Sequence, residues 1–364
     1  MRQSRPVHRL FLILLSIVVL SPLGTEVTRT QQRRKPFVPV TDAMLQNPAP
    51  GDWLMWRRTL NSWGYSPLDQ INRDNVGDLR MIWTRALRPG SQQGTPLAYG
   101  GVLYMPNPKD IIQAIDVASG DLIWEHQRDL PNDVWSNVGG YLAENNRNIA
   151  IHGNYIIDTS VDDHVFALDA TTGKEAWATM VLDYKTHPAL QGSGPIVANG
   201  KVITGRSCFE RGGPEACVIT AHDAKTGKEL WRRRTIPKPG EKGNETWGDV
   251  PYEDRKHVGA WMVPSYDPEL NLIYIGTSVT SPAPKFMLGG KDLEHLYHNC
   301  TLALNADTGV GLQRHSRAKP AMAKAWSVVM RRVMDPPDDT IVPPMGNALP
   351  VKDPSWGLAV FGPS

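Results

Sequence analysis

The chain has 364 residues, with 39 Lys and Arg against 37 Asp and Glu, 41% hydrophobic residues and a net charge of +2. Near-neutral charge of mixed sign excludes the basic footprint of a nucleic-acid binder, and this hydrophobic content excludes a disordered chain. Thirty-two glycines, 12 tryptophans and short apolar runs point to β-structure with tight turns, while 3 cysteines are too few to carry a fold on disulfides.

In chain order, Arg2, Arg5, His8 and Arg9 precede an apolar run from Leu10 to Leu20 that Ser21, Pro22 and Gly24 interrupt. This is the pattern of a secretory signal over residues 1–24. About 11 apolar residues reach roughly 16 Å as helix, short of the ~30 Å hydrocarbon core, so export is expected and an uncleaved membrane anchor is the rival reading. Residues 25–50 are polar, Pro-containing and aperiodic, and read as a linker or extended arm.

An internal repeat then dominates. Ala114 to Trp124, Ala167 to Trp177 and Ala221 to Trp231 are three copies of one phrase of the form Ala-x-Asp-x-x-x-Gly-x-x-x-Trp. A fourth starts at Ala303 and stops after Gly309. Each phrase predicts strand, turn, strand: the Asp accepts backbone N–H groups at the turn, and the Gly takes the left-handed position. The Asp residues do not form an EF-hand, because the other ligand positions are missing. Alternating pairs precede each phrase, at Leu97 to Tyr104, Ile149 to Ser160, Ile196 to Arg206, and Met262 to Tyr266 with Leu272 to Thr277. Four short antiparallel strands repeated about every 50 residues predict an all-β chain built as a β-propeller. A string of sandwich domains explains the repeated Trp-ended turn less well.

These phrases resemble the tryptophan-docking repeats of quinoprotein alcohol dehydrogenases, eight-bladed propellers that use pyrroloquinoline quinone (PQQ) and calcium. The resemblance runs over 51–309 and includes Asp52-Trp-Leu-Met-Trp56, Tyr65 to Asn72 and Val76 to Trp83. It implies about four blades of an incomplete ring. PQQ is a flat tricarboxylated quinone, so its site needs an aromatic floor, cations and a hard metal ion beside the reactive carbonyl. By resemblance, Trp261 in Val258-Gly-Ala-Trp261 is the floor, although one more docking Trp is the plainer reading. Arg147 in Asn146-Arg-Asn148 reaches the quinone oxygens, where it would otherwise be a solvated charge. Ser207 bonds the cofactor and Glu210 ligates calcium, as against a surface Glu beside Arg211. Gln93 stands where relatives carry Glu. Ser193, or Gly192 beside it, stands where the family has a Thr that bonds a PQQ carboxylate, a bond that Ser193 can make and Gly192 cannot.

Several departures accompany these matches. The adjacent cysteines that cover the quinone in many relatives are missing from Trp135 to Asn145, and the family's second calcium ligand, an Asn, has no counterpart in Gly276-Thr-Ser-Val-Thr-Ser-Pro282. A metal site there would need Thr or Ser oxygens or a carbonyl. Cys208 and Cys217 flank Glu210 at a spacing that can close a hairpin, leaving Cys300 unpaired. After Gly309 the phrase does not resume, and 310–364 read as an atypical Pro-containing tail in which none of Asp335, Asp338, Asp339 and Asp353 can be named as the base; a frame change, splice or deletion is one reading of it.

Three functions stay open at this stage. They are a periplasmic PQQ-dependent alcohol oxidoreductase with a small alcohol as substrate and a cytochrome c-type acceptor; a non-catalytic envelope propeller that binds proteins; and an inactive truncated product. Open blade faces are expected to associate. No Rossmann, P-loop, zinc-protease or haem-attachment motif is present.

Overall fold

A computed structural model describes residues 36–139, 144–191, 193–208, 210–278, 295–311 and 357–362; for 210 and 357–362 it describes the backbone alone. Residues 1–24, read above as a signal, and most of 310–364 lie outside these residues. Residues 36–50 contain a short helix, α1 (Asp42–Gln46), whose Thr41 hydroxyl accepts the Met44 N–H. Val40 pairs with Gly153, and Val40 and Leu45 are buried in the core.

Three complete four-stranded antiparallel sheets follow. The first is β2 (Leu97–Tyr99), β3 (Val102–Asn107), β4 (Ile111–Asp116) and β5 (Leu122–Gln127). The second is β6 (Ala150–His152), β7 (Tyr155–Thr159), β8 (His164–Asp169) and β9 (Glu175–Met180). The third is β11 (Ile196–Ala198), β12 (Lys201–Thr204), β14 (Val218–Asp223) and β15 (Glu229–Arg234). A short pair accompanies it, β10 (Ala189–Leu190) ahead of β11 and β13 (Ser207–Cys208) between β12 and β14. The fourth sheet has three strands, β16 (Ser265–Asp267), β17 (Leu272–Gly276) and β18 (Thr301–Asn305). Strand order follows chain order in every one, as in propeller blades.

Burial shows how the blades pack. The third strands β4, β8 and β14 are buried at nearly every position, because both faces lie against neighbours. The fourth strand β9 alternates instead, with Glu175, Ala176, Ala178 and Met180 exposed. The expected turn is present in each phrase. Asp116, Asp169, Asp223 and Asn305 each accept the N–H groups two and three residues on through Oδ1. Gly120, Gly173, Gly227 and Gly309 have φ between +66° and +75°.

The tertiary role of the phrase is docking onto the preceding sheet. A Cβ on Gly120, Gly173, Gly227 or Gly309 would lie 2.4–2.6 Å from the ring of Trp83, Trp124, Trp177 or Trp231 respectively. Trp83, Trp124 and Trp231 also donate their indole N–H to the carbonyls of Val117, Ala170 and Ala306, at 2.8, 3.0 and 3.0 Å. Each Trp therefore seals its own blade to the next. By the same pattern Trp83 makes β1 (Arg80–Ala86) the fourth strand of a preceding blade. Its antiparallel partner is β19 (Gly357–Gly362).

Candidate cofactor site

Four of the residues singled out in the sequence hold equivalent places. Gln93, Arg147, Ser193 and Trp261 lie three or four residues ahead of β2, β6, β11 and β16, the first strand of each sheet. The segments that carry three of them lie side by side. The Thr95 N–H donates to the Arg147 carbonyl at 2.8 Å, and the Asn148 amide donates to the Pro195 carbonyl at 2.8 Å. Contact between Ser193-Gly194 and Asn148 is so close that a Cβ on Gly194 would meet the Asn148 carbonyl oxygen at 1.7 Å. Only glycine fits there, with φ +73°.

Trp261 is held the same way from the third blade. A Cβ on Gly205 would meet the Ala260 carbonyl oxygen at 2.0 Å, and one on Gly259 would meet the Arg206 carbonyl oxygen at 2.7 Å. The backbones of 205–207 and 258–261 therefore interlock, placing Ser207 close to the segment that carries Trp261. The indole of Trp261 is 40% exposed, whereas a docking Trp such as Trp124 is 8% exposed. Above it stands Arg147, its guanidinium carbon 6.0 Å from the ring centroid. That is the outer limit of a cation–π contact. Burial lowers the Arg147 pKa, yet a guanidinium stays charged at neutral pH.

Unpartnered polar atoms lie on the Arg147 loop and on the segment packed against it. Ser193 Oγ, both side-chain polar atoms of Asn145 and Asn148 Oδ1 are buried without a hydrogen bond among the described residues. Each such atom costs roughly 1–3 kcal/mol unless a ligand or water meets it. An open aromatic face, a cation over it and spare buried donors and acceptors fit a flat polyanionic ring such as PQQ.

The metal donors do not assemble in the same way. The Thr277 hydroxyl donates to the Tyr297 carbonyl at 2.5 Å, and the Ser278 hydroxyl donates to the His257 carbonyl at 2.8 Å while accepting the Gly259 N–H at 2.9 Å. Both are committed to holding the fold. No group of three or more acidic, His or Cys side chains suited to a metal occurs among the described residues. Glu210 opens a 3₁₀ turn, Glu210–Gly212, and its carboxylate lies outside the described atoms. Gln93 is exposed. Cys208 and Cys217 form a disulfide with a Cα–Cα distance of 5.0 Å, and Cys300 is free.

Sequence reasoning did not single out the buried acids behind the site. Asp110 accepts the Ser160 hydroxyl and the Val161 N–H at 2.8 Å each, and burial raises its pKa to about 6. Burial and then the neighbouring Asp110 push Asp158 well above the carboxylate range. Asp163 is fully buried and pairs with the equally buried Arg206 at 2.9 Å, with Gln191 as a further donor; burial still raises its pKa. Asp110 and Asp163 sit in turns and Asp158 in strand β7 (Tyr155–Thr159), and an Asp reads the same in a sequence whether buried or solvated, so no signal marked these residues.

Comparisons with known proteins identify the family and the fold. The family model described as "PQQ: Glucose/ethanol/alcohol dehydrogenase, beta-propeller domain" matches residues 53–312. Quinohemoprotein alcohol dehydrogenase ADH-IIG of Pseudomonas putida is 36% identical over 277 residues, which cover 71% of this chain and 37% of that protein. The dehydrogenase subunit of the quinone-dependent alcohol dehydrogenase of Komagataeibacter europaeus is 33% identical over 282 residues, 71% of this chain and 38% of that protein. The solved structure of the Pseudomonas putida ADHIIG enzyme superposes with a TM-score of 0.68 at 32% identity, covering 76% of this chain and 42% of the other. The chain thus spans about two fifths of the length of these relatives. With the repeat, the docking tryptophans and a match over 53–312, this chain belongs to the PQQ-dependent glucose/ethanol/alcohol dehydrogenase β-propeller family.

Proposed function

We propose that this chain is the cofactor-holding part of a quinoprotein alcohol oxidoreductase. The observation that carries the reading is Arg147 standing over the exposed face of Trp261, with the buried, unpartnered Ser193 hydroxyl on the segment packed against Asn148. Trp261 stacks the ring, Arg147 supplies charge to its oxygens or carboxylates, and Ser193 and Ser207 hydrogen-bond its edge. Bound PQQ supplies two-electron oxidation of an alcohol by accepting hydride. The chain's own work is binding and orientation: interlocked backbones fix Trp261, and burial strengthens the Arg147 field by excluding water. No described residue is assigned as general base.

Calcium rests on Glu210 alone, and no step is derived through a metal. The names of the relatives support a small alcohol as substrate, while a cytochrome c-type acceptor and export to the periplasm follow from the sequence reading. Calorimetric titration of the full chain with PQQ, with and without calcium, tests the reading. Saturable binding weakened at least about tenfold by Arg147→Ala and by Trp261→Ala is expected. Glu210→Ala is the control for calcium dependence. Absence of binding in the wild type would sink the proposal.

A further inference from the structure

The loop carrying Arg147 is fixed along its length. The Lys109 N–H donates to the Glu144 carbonyl at 3.0 Å, and the Lys109 ammonium pairs with the Glu144 carboxylate at 3.4 Å. Farther along, Thr95 holds the Arg147 carbonyl and Asn148 holds Pro195, as above. The Asn146 amide, one further fixed point, donates to Oδ2 of Asp158 at 2.5 Å, while Asp158 Oδ1 accepts the Thr159 N–H at 2.7 Å. Asp158 is fully buried and Asn146 is 4% exposed.

We propose that Asp158 is a positioning residue for Arg147, acting through Asn146 to hold the guanidinium over Trp261. This rests on the cofactor reading only for its effect on PQQ. Asp158 lies near the end of β7, where the flanking Ile156 and Ile157 are apolar and fully buried. A carboxyl group there costs desolvation, and an aliphatic side chain would fill the space without that cost. The bond to Asn146 is what an aliphatic residue cannot supply. It runs from blade interior to cofactor loop, so its loss frees the residue beside Arg147 while the Lys109, Thr95 and Pro195 contacts remain. Asp110, Asp162 and Arg128 are the charged groups grouped around the same strand end.

The test uses two readouts on the full chain. The indole N–H signal of Trp261, assigned by its loss in Trp261→Phe, is recorded by heteronuclear NMR without cofactor. It is expected to move in Arg147→Ala, to move the same way in Asp158→Leu and Asn146→Ala, and to stay in place in Asp158→Asn, whose oxygen keeps the Thr159 N–H while its NH2 donates to the Asn146 side-chain carbonyl oxygen once that amide is turned over. The second readout is PQQ affinity. Asp158→Leu should weaken binding about tenfold in the wild-type background and less than about twofold in the Arg147→Ala background, with Asp158→Asn within about threefold of wild type. A Trp261 signal unmoved in both Asp158→Leu and Asn146→Ala overturns the proposal. So does an equal loss of affinity with and without Arg147. Should the wild type bind no PQQ while the Trp261 signal behaves as stated, the cofactor reading fails and the positioning role stands. Asn146→Ala reports the same bond if Asp158→Leu does not fold.

Discussion

Two carboxyl groups that meet the same serine, Ser160, are shifted in opposite directions. Asp162 is pulled down to about 2, because its bonds to His164 and Ser160 and the charge of Arg128 outweigh its burial. Asp110, which meets the same Ser160, rises to about 6 because burial wins. For Asp110 the folded state therefore holds a proton that the unfolded state has released between about pH 4 and pH 6, and stability falls as pH rises through that window. Asp162 acts in the reverse sense, stabilising above about pH 4 and losing this as pH falls toward 2. Asp110→Asn keeps an oxygen for the Val161 N–H and removes the charge. It is expected to gain stability of the order of 3 kcal/mol at pH 7 and about 1 kcal/mol at pH 4.5. Urea denaturation at both pH values reads this directly; an unchanged difference between them would show that Asp110 is not the titrating group.

At the scale of elements, the repeated phrase joins local turn chemistry to contact between blades. Gly173 has φ +72°, and a Cβ there would lie 2.6 Å from Trp124; Gly100 has φ +59° with nothing within 4 Å. Alanine at Gly100 pays only the left-handed backbone penalty of about 1–2 kcal/mol, whereas at Gly173 overpacking against the indole adds about 1–3 kcal/mol. Thermal or urea unfolding of the two variants should show that gap, and equal losses would mean that the Trp does not dock on the glycine. The Cys208–Cys217 bridge works on a shorter range. It closes a loop of 9 residues around the Glu210 turn. In the chain-entropy model such a loop contributes somewhat under 3 kcal/mol.

For the whole molecule, the ends of the blade series decide behaviour in solution. Tyr65, Val76, Met81 and Ile82, on β1 and the chain leading to it, are each more than half exposed. Among the described residues the sheet of β1 contains β1 and β19 alone, and no described layer covers these side chains as neighbours cover β4, β8 and β14. Exposed apolar strips of this kind drive association. Light scattering of the full chain is expected to show mass rising with concentration, reduced in the Met81→Lys, Ile82→Lys double variant. A monodisperse monomer across the range would rule this out.

Much of this was legible in the sequence because it is local. An Asp that caps its own turn, a Gly at positive φ and alternation into a Trp act over a dozen residues, so the three full blades and the docking phrase could be read directly. Arg147, Ser193, Ser207 and Trp261 were singled out by resemblance, from the short motifs around them, and their role in binding a cofactor is a proposal. What only the tertiary structure decided is non-local. The Trp of one blade meets the Gly of the next, and Arg147 meets Trp261 across more than a hundred residues of chain. Asp158 became legible as the support of Arg147 only once folding had buried it beside Asn146. Turn chemistry is written in neighbours along the chain, whereas desolvation and charge depend on neighbours in space, and a sequence orders only the first.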